Sequence, residues 1–111
     1  MLELPDCPFC GEPKNILENE LALAHYDSYP VSPGHCLVTP RRHVAEYFQA
    51  TAAERAAIWE LVDELKPIID REFSPDGYNI GVNVGAAAGQ SIPHLHIHLI
   101  PRYRGDVENP Q

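Results

Sequence analysis

Long apolar runs are missing from this chain, and so is an excess of positive charge. No stretch of the 111 residues approaches the ~20 uninterrupted apolar residues that a membrane helix needs. The N-terminus lacks the basic-then-apolar pattern of a secretory signal, so a soluble, cytoplasmic protein is expected. Lys and Arg number 8 against 16 Asp and Glu, a formal net charge of −8. That balance weighs against nucleic acid or an anionic membrane as partner, since both select a basic surface. It leaves room for a phosphate-bearing small molecule held by a few local donors. Cysteine is scarce as well. Three residues make an odd count, which does not fit a disulfide framework. Two of them form Cys7-Pro8-Phe9-Cys10, a spacing that in an intracellular protein points to metal or redox chemistry. Repeats and low-complexity segments are absent. The length suits one domain over 1–111, with a core buried deeply enough to fold unaided.

Residues 1–15 contain Pro5, Pro8, Gly11 and Pro13 and read as a knuckle-like loop. Ile16 to Leu23 reads as two short strands with a turn at Asn19-Glu20. A Pro- and Gly-marked loop over Asp27 to Gly34 leads into a strand over His35 to Thr39, stopped by Pro40. His43 to Gln49 is expected to form a short helix. The strongest helix signal is Thr51 with Glu54 three residues on, a capping-box pattern. Ile58, Leu61, Val62, Leu65, Ile68 and Ile69 follow it at helical spacing. Pro67 removes a donor and clashes with the carbonyl of Asp63, so a kink or an earlier stop is expected there. Tyr78 to Val84 reads as a strand, Gly85 to Gly89 as a flexible loop, and His94 to Ile100 as a strand ending at Pro101. Residues 105–111 are expected to form an extended tail. Strands, one long helix, then strands predict an α+β fold: an antiparallel sheet of about five strands with one long and one short helix.

The functional signal is His94-Leu95-His96-Ile97-His98-Leu99-Ile100, in which polar and apolar residues alternate. On a strand the three imidazoles share one face over roughly 13 Å, and Leu95, Ile97 and Leu99 turn into the core. Thr, Lys or Glu would serve a merely solvated face, whereas imidazoles supply nucleophiles, proton donors or metal ligands near neutral pH. The run follows the small-residue segment Gly89-Gln90-Ser91, which is suited to an anion.

The chain resembles the histidine-triad family, named for His-φ-His-φ-His-φ-φ with φ apolar, which residues 94–100 match throughout. Leu21-Ala22-Leu23-Ala24-His25-Tyr26-Asp27, Pro33-Gly34-His35, Val38-Thr39-Pro40, Arg42-His43 and Gly89-Gln90-Ser91 look like further landmarks in family order, over nearly the whole chain. The resemblance implies a nucleotide hydrolase or transferase in which His96 attacks the α-phosphorus and forms a nucleotidyl-histidine. It makes His98 the phosphate-side partner that assists the leaving group. Gly89, Gln90 and Ser91 would hold non-bridging oxygens, with Asn83 as a further phosphate contact and Asp27 on the ribose hydroxyls. Asp27 also reads as a turn residue, and Asn83 as a satisfied polar group on its strand. His35 is expected beside the triad rather than in direct catalysis, and Cys36 as a small buried apolar group.

Zinc-carrying members of that family imply a closed structural site made by Cys7, Cys10, His43 and His94, with a reduced thiol pair as the alternative. Family resemblance also implies a homodimer through the long helix and a continuous sheet. Candidate substrates are dinucleoside polyphosphates, nucleoside phosphoramidates and adenylyl anhydrides. Arg102 and Arg104 are candidates for a distal phosphate or for a solvated face. Two competing readings use the same residues: a non-catalytic nucleotide-binding module, and a hydrolase whose three histidines jointly hold a catalytic metal.

Overall fold

Strand β1 (Asn15–Glu18) and strand β2 (Ala22–Tyr26) form a hairpin around Asn19, whose side-chain oxygen accepts from the amides of Leu21 and Ala22 at 3.1 and 2.8 Å. This Asx-type turn is why the chain reverses there. The computed structural model describes residues 15–107. Strand β3 (Cys36–Pro40) pairs antiparallel with β2, and strand β5 (Ile97–Arg102) with β3. Strand β4 (Gly77–Gly81) closes the sheet on the far edge, giving five antiparallel strands in the order β1-β2-β3-β5-β4.

Helix α1 (Ala52–Phe73) begins as its sequence requires. Thr51 Oγ1 accepts from the Glu54 amide at 3.1 Å, and Glu54 Oε1 accepts from the Thr51 amide at 2.9 Å. Both halves of the capping box are present. Ile58, Leu61, Val62, Leu65 and Ile69 are buried against Ala22 and Ala24 of β2, Cys36 and Val38 of β3, and Leu95, Ile97 and Leu99. Each large aliphatic side chain so buried contributes about 2 kcal/mol. This packing fixes which sheet face is core. The opposite face carries the histidines.

Several boundaries differ from the expectations. The helix runs through Pro67 to Phe73, because buried Leu65 and Ile69 flank an exposed Pro67 and their packing outweighs one missing hydrogen bond. Between His43 and Gln49 only Tyr47–Gln49 turns, as a single 3₁₀ turn. Pro40 is the last residue of β3 and pairs with Ala22, so it ends the strand from within. Strand β4 stops at Gly81, three residues short of Val84. Strand β5 starts at Ile97 and includes Pro101 and Arg102. The backbone before it leaves the ladder, since the Leu95 amide donates to Val44 O at 2.8 Å. The tail is not extended at its start: the Asp106 amide turns back to Tyr103 O at 2.9 Å. Residues 1–14, which hold the expected knuckle with Cys7 and Cys10, and residues 108–111 lie outside the described residues. No helix among the described residues is long and apolar enough to cross a membrane.

Candidate active site

The alternation that put Leu95, Ile97 and Leu99 in the core brings His96 and His98 to the other face, with ring centroids 5.1 Å apart. Cross-strand pairing extends this row: His98 lies opposite Leu37, and Leu37 opposite His25. His25 and His96 are buried, and His98 is half-buried.

What each imidazole can do depends on the partner of its second nitrogen. His96 Nδ1 lies 2.8 Å from the carbonyl oxygen of His94, which can only accept. The proton of neutral His96 therefore sits on Nδ1, and Nε2 carries the lone pair. For His98 the logic runs the other way, through His35. The Val31 amide donates to His35 Nδ1 at 3.0 Å, so neutral His35 carries its proton on Nε2. That Nε2 lies 3.0 Å from His98 Nδ1 and donates to it, which puts the proton of neutral His98 on Nε2. Burial holds the pKa of both His35 and His98 below the usual imidazole value, and neighbouring His96 lowers that of His98 further. Adjacent positions on one face thus present a nucleophilic nitrogen and a proton donor.

The loop between β2 and β3 supports this arrangement. Its ends are joined by the Asp27 amide donating to His35 O at 2.9 Å. Asp27 Oδ1 caps the turn by accepting from the Tyr29 amide at 2.9 Å, and Oδ2 lies 3.4 Å from His35 Nε2. Ser32 and Tyr103 hydroxyls donate to Pro101 O and Pro33 O at 2.5 and 2.6 Å, tying the loop to β5 and its exit. Gly34 has φ +88, and a Cβ there would sit 2.9 Å from the Phe73 ring. Only glycine passes this point between helix and strand without strain.

Ligand atoms of Asp27, His35 and His98 lie within 4.8 Å of one another, the shape of a two-histidine, one-carboxylate metal site. The Val31 amide decides against that use. A metal on His35 Nε2 would force the proton to Nδ1, where it would face the Val31 N–H donor at 3.0 Å. Within the trio His35 and His98 are hydrogen-bonded, and the Asp27 carboxylate stands beside them as a charge contact at 3.4 Å.

His94 is separated from this pair in role. Its Nε2 donates to Pro40 O at 3.1 Å, so Nδ1 carries the lone pair and lies 3.1 Å from His43 Nδ1. Burial pushes the His94 pKa down to about 4, which keeps the ring neutral as metal binding requires. Two ligand nitrogens on a tetrahedral zinc stand roughly 3.3 Å apart. The His43–His94 pair therefore fits half of a zinc site, and its expected cysteines fall outside the described residues.

The Gly85–Gln90 loop is built around one amide. Gln90 Nε2 donates to Ala45 O at 2.6 Å and Ile92 O at 2.9 Å, and its Oε1 accepts from the Gly85 amide at 2.8 Å. The side chain expected on phosphate is thus engaged as a staple between this loop and the segment before α1. Asn83 is exposed and donates to Gly89 O at 3.4 Å, and Ser91 is exposed at the loop's end. Arg102 is committed to Asp106, with Nε to Oδ2 at 2.9 Å, and to Asn79 Oδ1 at 2.8 Å, whereas Arg104 is exposed beside Asp76. Cys36 is buried and its thiol is pushed up to about 12, as a small inert side chain. Sequence reasoning left His35 without a specified action. Its partner His98 is 63 residues away, and no spacing marks that contact.

Comparison with known proteins identifies the family. A bis(5'-nucleosyl)-tetraphosphatase of Schizosaccharomyces pombe is 37% identical over 87 residues, 78% of this chain and 48% of that protein. An AP-4-A phosphorylase of Mycobacterium tuberculosis is 36% identical over 93 residues, 83% of this chain and 48% of that protein. The chain therefore spans about half the length of these two curated relatives. Among solved structures, a HIT family protein from Bacillus anthracis superposes with a TM-score of 0.86 at 34% identity, covering 96% of this chain and 80% of that one. A zinc-bound histidine triad family protein from Mycobacterium smegmatis gives 0.83 at 29%, covering 94% and 80%. Residues 12–105 match the HIT domain model, and the chain belongs to that family.

Proposed function

We propose that this chain is a nucleotide hydrolase or nucleotidyl transferase acting through a covalent intermediate on His96. One observation carries the reading: His96 and His98 stand 5.1 Å apart with opposite proton placement. The Nε2 lone pair of His96 forms a P–N bond to the α-phosphorus as the bond to the leaving group breaks. The Nε2–H of His98 donates a hydrogen bond to the departing atom and stabilises the negative charge it develops. Water then attacks the nucleotidyl-histidine, the P–N bond breaks back onto His96 Nε2, and a nucleoside monophosphate leaves as the water's proton passes to solvent. Ser91 and the backbone around Gly89 hold the non-bridging oxygens, exposed Asn83 touches phosphate, Gln90 shapes the loop as its staple, and Asp27 accepts from the ribose hydroxyls. The names of the two relatives support dinucleoside polyphosphates as substrates, with phosphoramidates as the second class.

Zinc bound by Cys7, Cys10, His43 and His94 would tie the N-terminal segment to the triad strand. When bound there it supplies stability rather than chemistry. The outer edge of β4, with Ile80 about half exposed, supports pairing with a second copy along the sheet edge.

The test is turnover of diadenosine tetraphosphate, diadenosine triphosphate and an adenosine phosphoramidate by wild type and His96→Ala. An acid-labile nucleotidyl adduct forms in wild type and is lost in the variant. Failure of wild type on all three substrates overturns the reading. Activity abolished by chelation with the fold intact would favour the catalytic-metal alternative, and tight nucleotide binding without turnover the sensing module.

A further inference from the structure

His35 Nε2 donates to His98 Nδ1 at 3.0 Å, and the carboxylate oxygen Asp27 Oδ2 stands 3.4 Å from the same nitrogen. Its other nitrogen is held by the Val31 amide, so there is one proton to share and its position is fixed. Asp27 is the same carboxylate assigned above to sugar hydroxyls. A vicinal diol donating to it would draw off negative charge that otherwise competes for the His35 proton. That proton would then fall more fully to His98 Nδ1, which fixes His98 in its Nε2–H form and makes that N–H a stronger donor.

We propose that Asp27 and His98 are coupled through the single Nε2 proton of His35, which makes His35 a positioning residue. Through this coupling a bound sugar diol strengthens the proton-donating state of His98. Sugar hydroxyls are thereby read in kcat as well as in KM. The inference rests on the hydrolase reading for its kinetic arm and on the proposed contact of Asp27 with sugar hydroxyls for its spectroscopic arm. Isolated recognition by Asp27 would change binding only, because a contact made equally in ground and transition states leaves kcat unchanged. A coupling that ends on His98 alters the transition state itself.

Two measurements test it. The first is the ¹⁵N-resolved tautomer of His98 and His35 in wild type, with adenosine 5'-monophosphate and with its 2',3'-dideoxy analogue, each at saturation. The Nε2–H form of His98 is expected to dominate in wild type. The His35 Nε2 and His98 Nδ1 signals should move further with the ribonucleotide than with the dideoxy analogue. Identical shifts with both, or an Nδ1–H form of His98, overturn the coupling. The second is a cycle of kcat and KM on adenosine and dideoxyadenosine phosphoramidates for wild type, His35→Phe and His35→Gln. Loss of the diol is expected to lower wild-type kcat about tenfold, the worth of one strengthened hydrogen bond. In His35→Phe the same loss should change KM alone. His35→Gln keeps an N–H donor and should restore part of the kcat effect. An equal diol effect on kcat in wild type and His35→Phe refutes the coupling, since independent sites add. If wild type turns over neither substrate, the hydrolase reading falls and the tautomer measurement still decides the coupling. That measurement needs no variant, so a misfolded His35→Phe does not protect the proposal.

Discussion

Replacing Gln90 by Ala removes three hydrogen bonds at once: to Ala45 O, to Ile92 O, and from the Gly85 amide. A typical hydrogen bond nets about 1 kcal/mol, and water reaching this half-buried position recovers part of the loss. The expected cost is about 2 kcal/mol. For a domain of this size that lowers Tm by about 8 °C, at roughly 4 °C per kcal/mol. The loop's own backbone bonds, Ala88 to Gly85 and Gly89 to Ala86 at 3.1 and 3.0 Å, survive the substitution. The loop should therefore keep its internal turn and lose its docking to the segment before α1. Hydrogen exchange at the Gly85 amide reads that docking directly and should rise well above the global change. Gln90→Glu sharpens the test. It keeps the acceptor for Gly85 and places a carboxylate oxygen against the carbonyls of Ala45 and Ile92, so it should be less stable than the Ala variant. Turnover should fall in both, because Ser91 follows directly. Unchanged Gly85 exchange with a Tm within 1–2 °C of wild type would refute the staple.

Gly34→Ala forces a side chain onto φ +88 and against Phe73 and Pro101 at 2.9–3.2 Å, so a loss of about 2 kcal/mol is expected by denaturant unfolding. A neutral result would mean that the loop relaxes freely and does not position His35. His25, His35 and His98 all have pKa values lowered from 6.5, chiefly by burial. The folded chain then binds fewer protons than the unfolded chain just below pH 6.5, so this stability is present above that pH and is lost as pH falls. Tm measured in chelator should drop between pH 7.5 and 5.5, and a flat or rising profile contradicts the burial argument. Protein purified without added metal should carry about one zinc per chain, and Cys10→Ser should lower both zinc content and Tm. A metal-free wild type with the Tm of the variant would sink the zinc site.

The long helix was legible because two independent signals agreed at Thr51, Glu54 and the stripe from Ile58 to Ile69. Pro67 misled because a local rule gives one residue's cost, while continuation depends on what Leu65 and Ile69 bury on either side. Strand β4 was overextended since Val82 and Val84 keep the alternating pattern. The pattern does not reveal that the ladder ends where Gly81 meets His98, beyond which the triad strand leaves the sheet. The start of β5 was misplaced for the same reason. His94 and Leu95 alternate correctly, yet their amides bond to Ile92 and Val44 rather than to a neighbouring strand. Alternation reports which side a residue faces. It does not report which backbone groups are paired.

The same distinction explains why three equivalent letters in the motif become three different groups. Period two delivers His94, His96 and His98 with their core partners between them, and that much follows from the chain alone. Their chemistry is assigned afterwards, by what each second nitrogen meets. His94 Nε2 meets the Pro40 carbonyl, at the end of a strand 54 positions earlier, which turns Nδ1 toward His43. His96 Nδ1 meets the carbonyl of His94, which exists there because the backbone has left the ladder before β5. His98 Nδ1 meets a donor, His35, held in that state by a loop amide. The irregular backbone at 92–96, which defeats strand prediction, is thus the feature that gives His96 a carbonyl for its proton and sets its nucleophilic nitrogen. A strand continuous from His94 would spend that carbonyl in the ladder and leave the His96 tautomer undetermined.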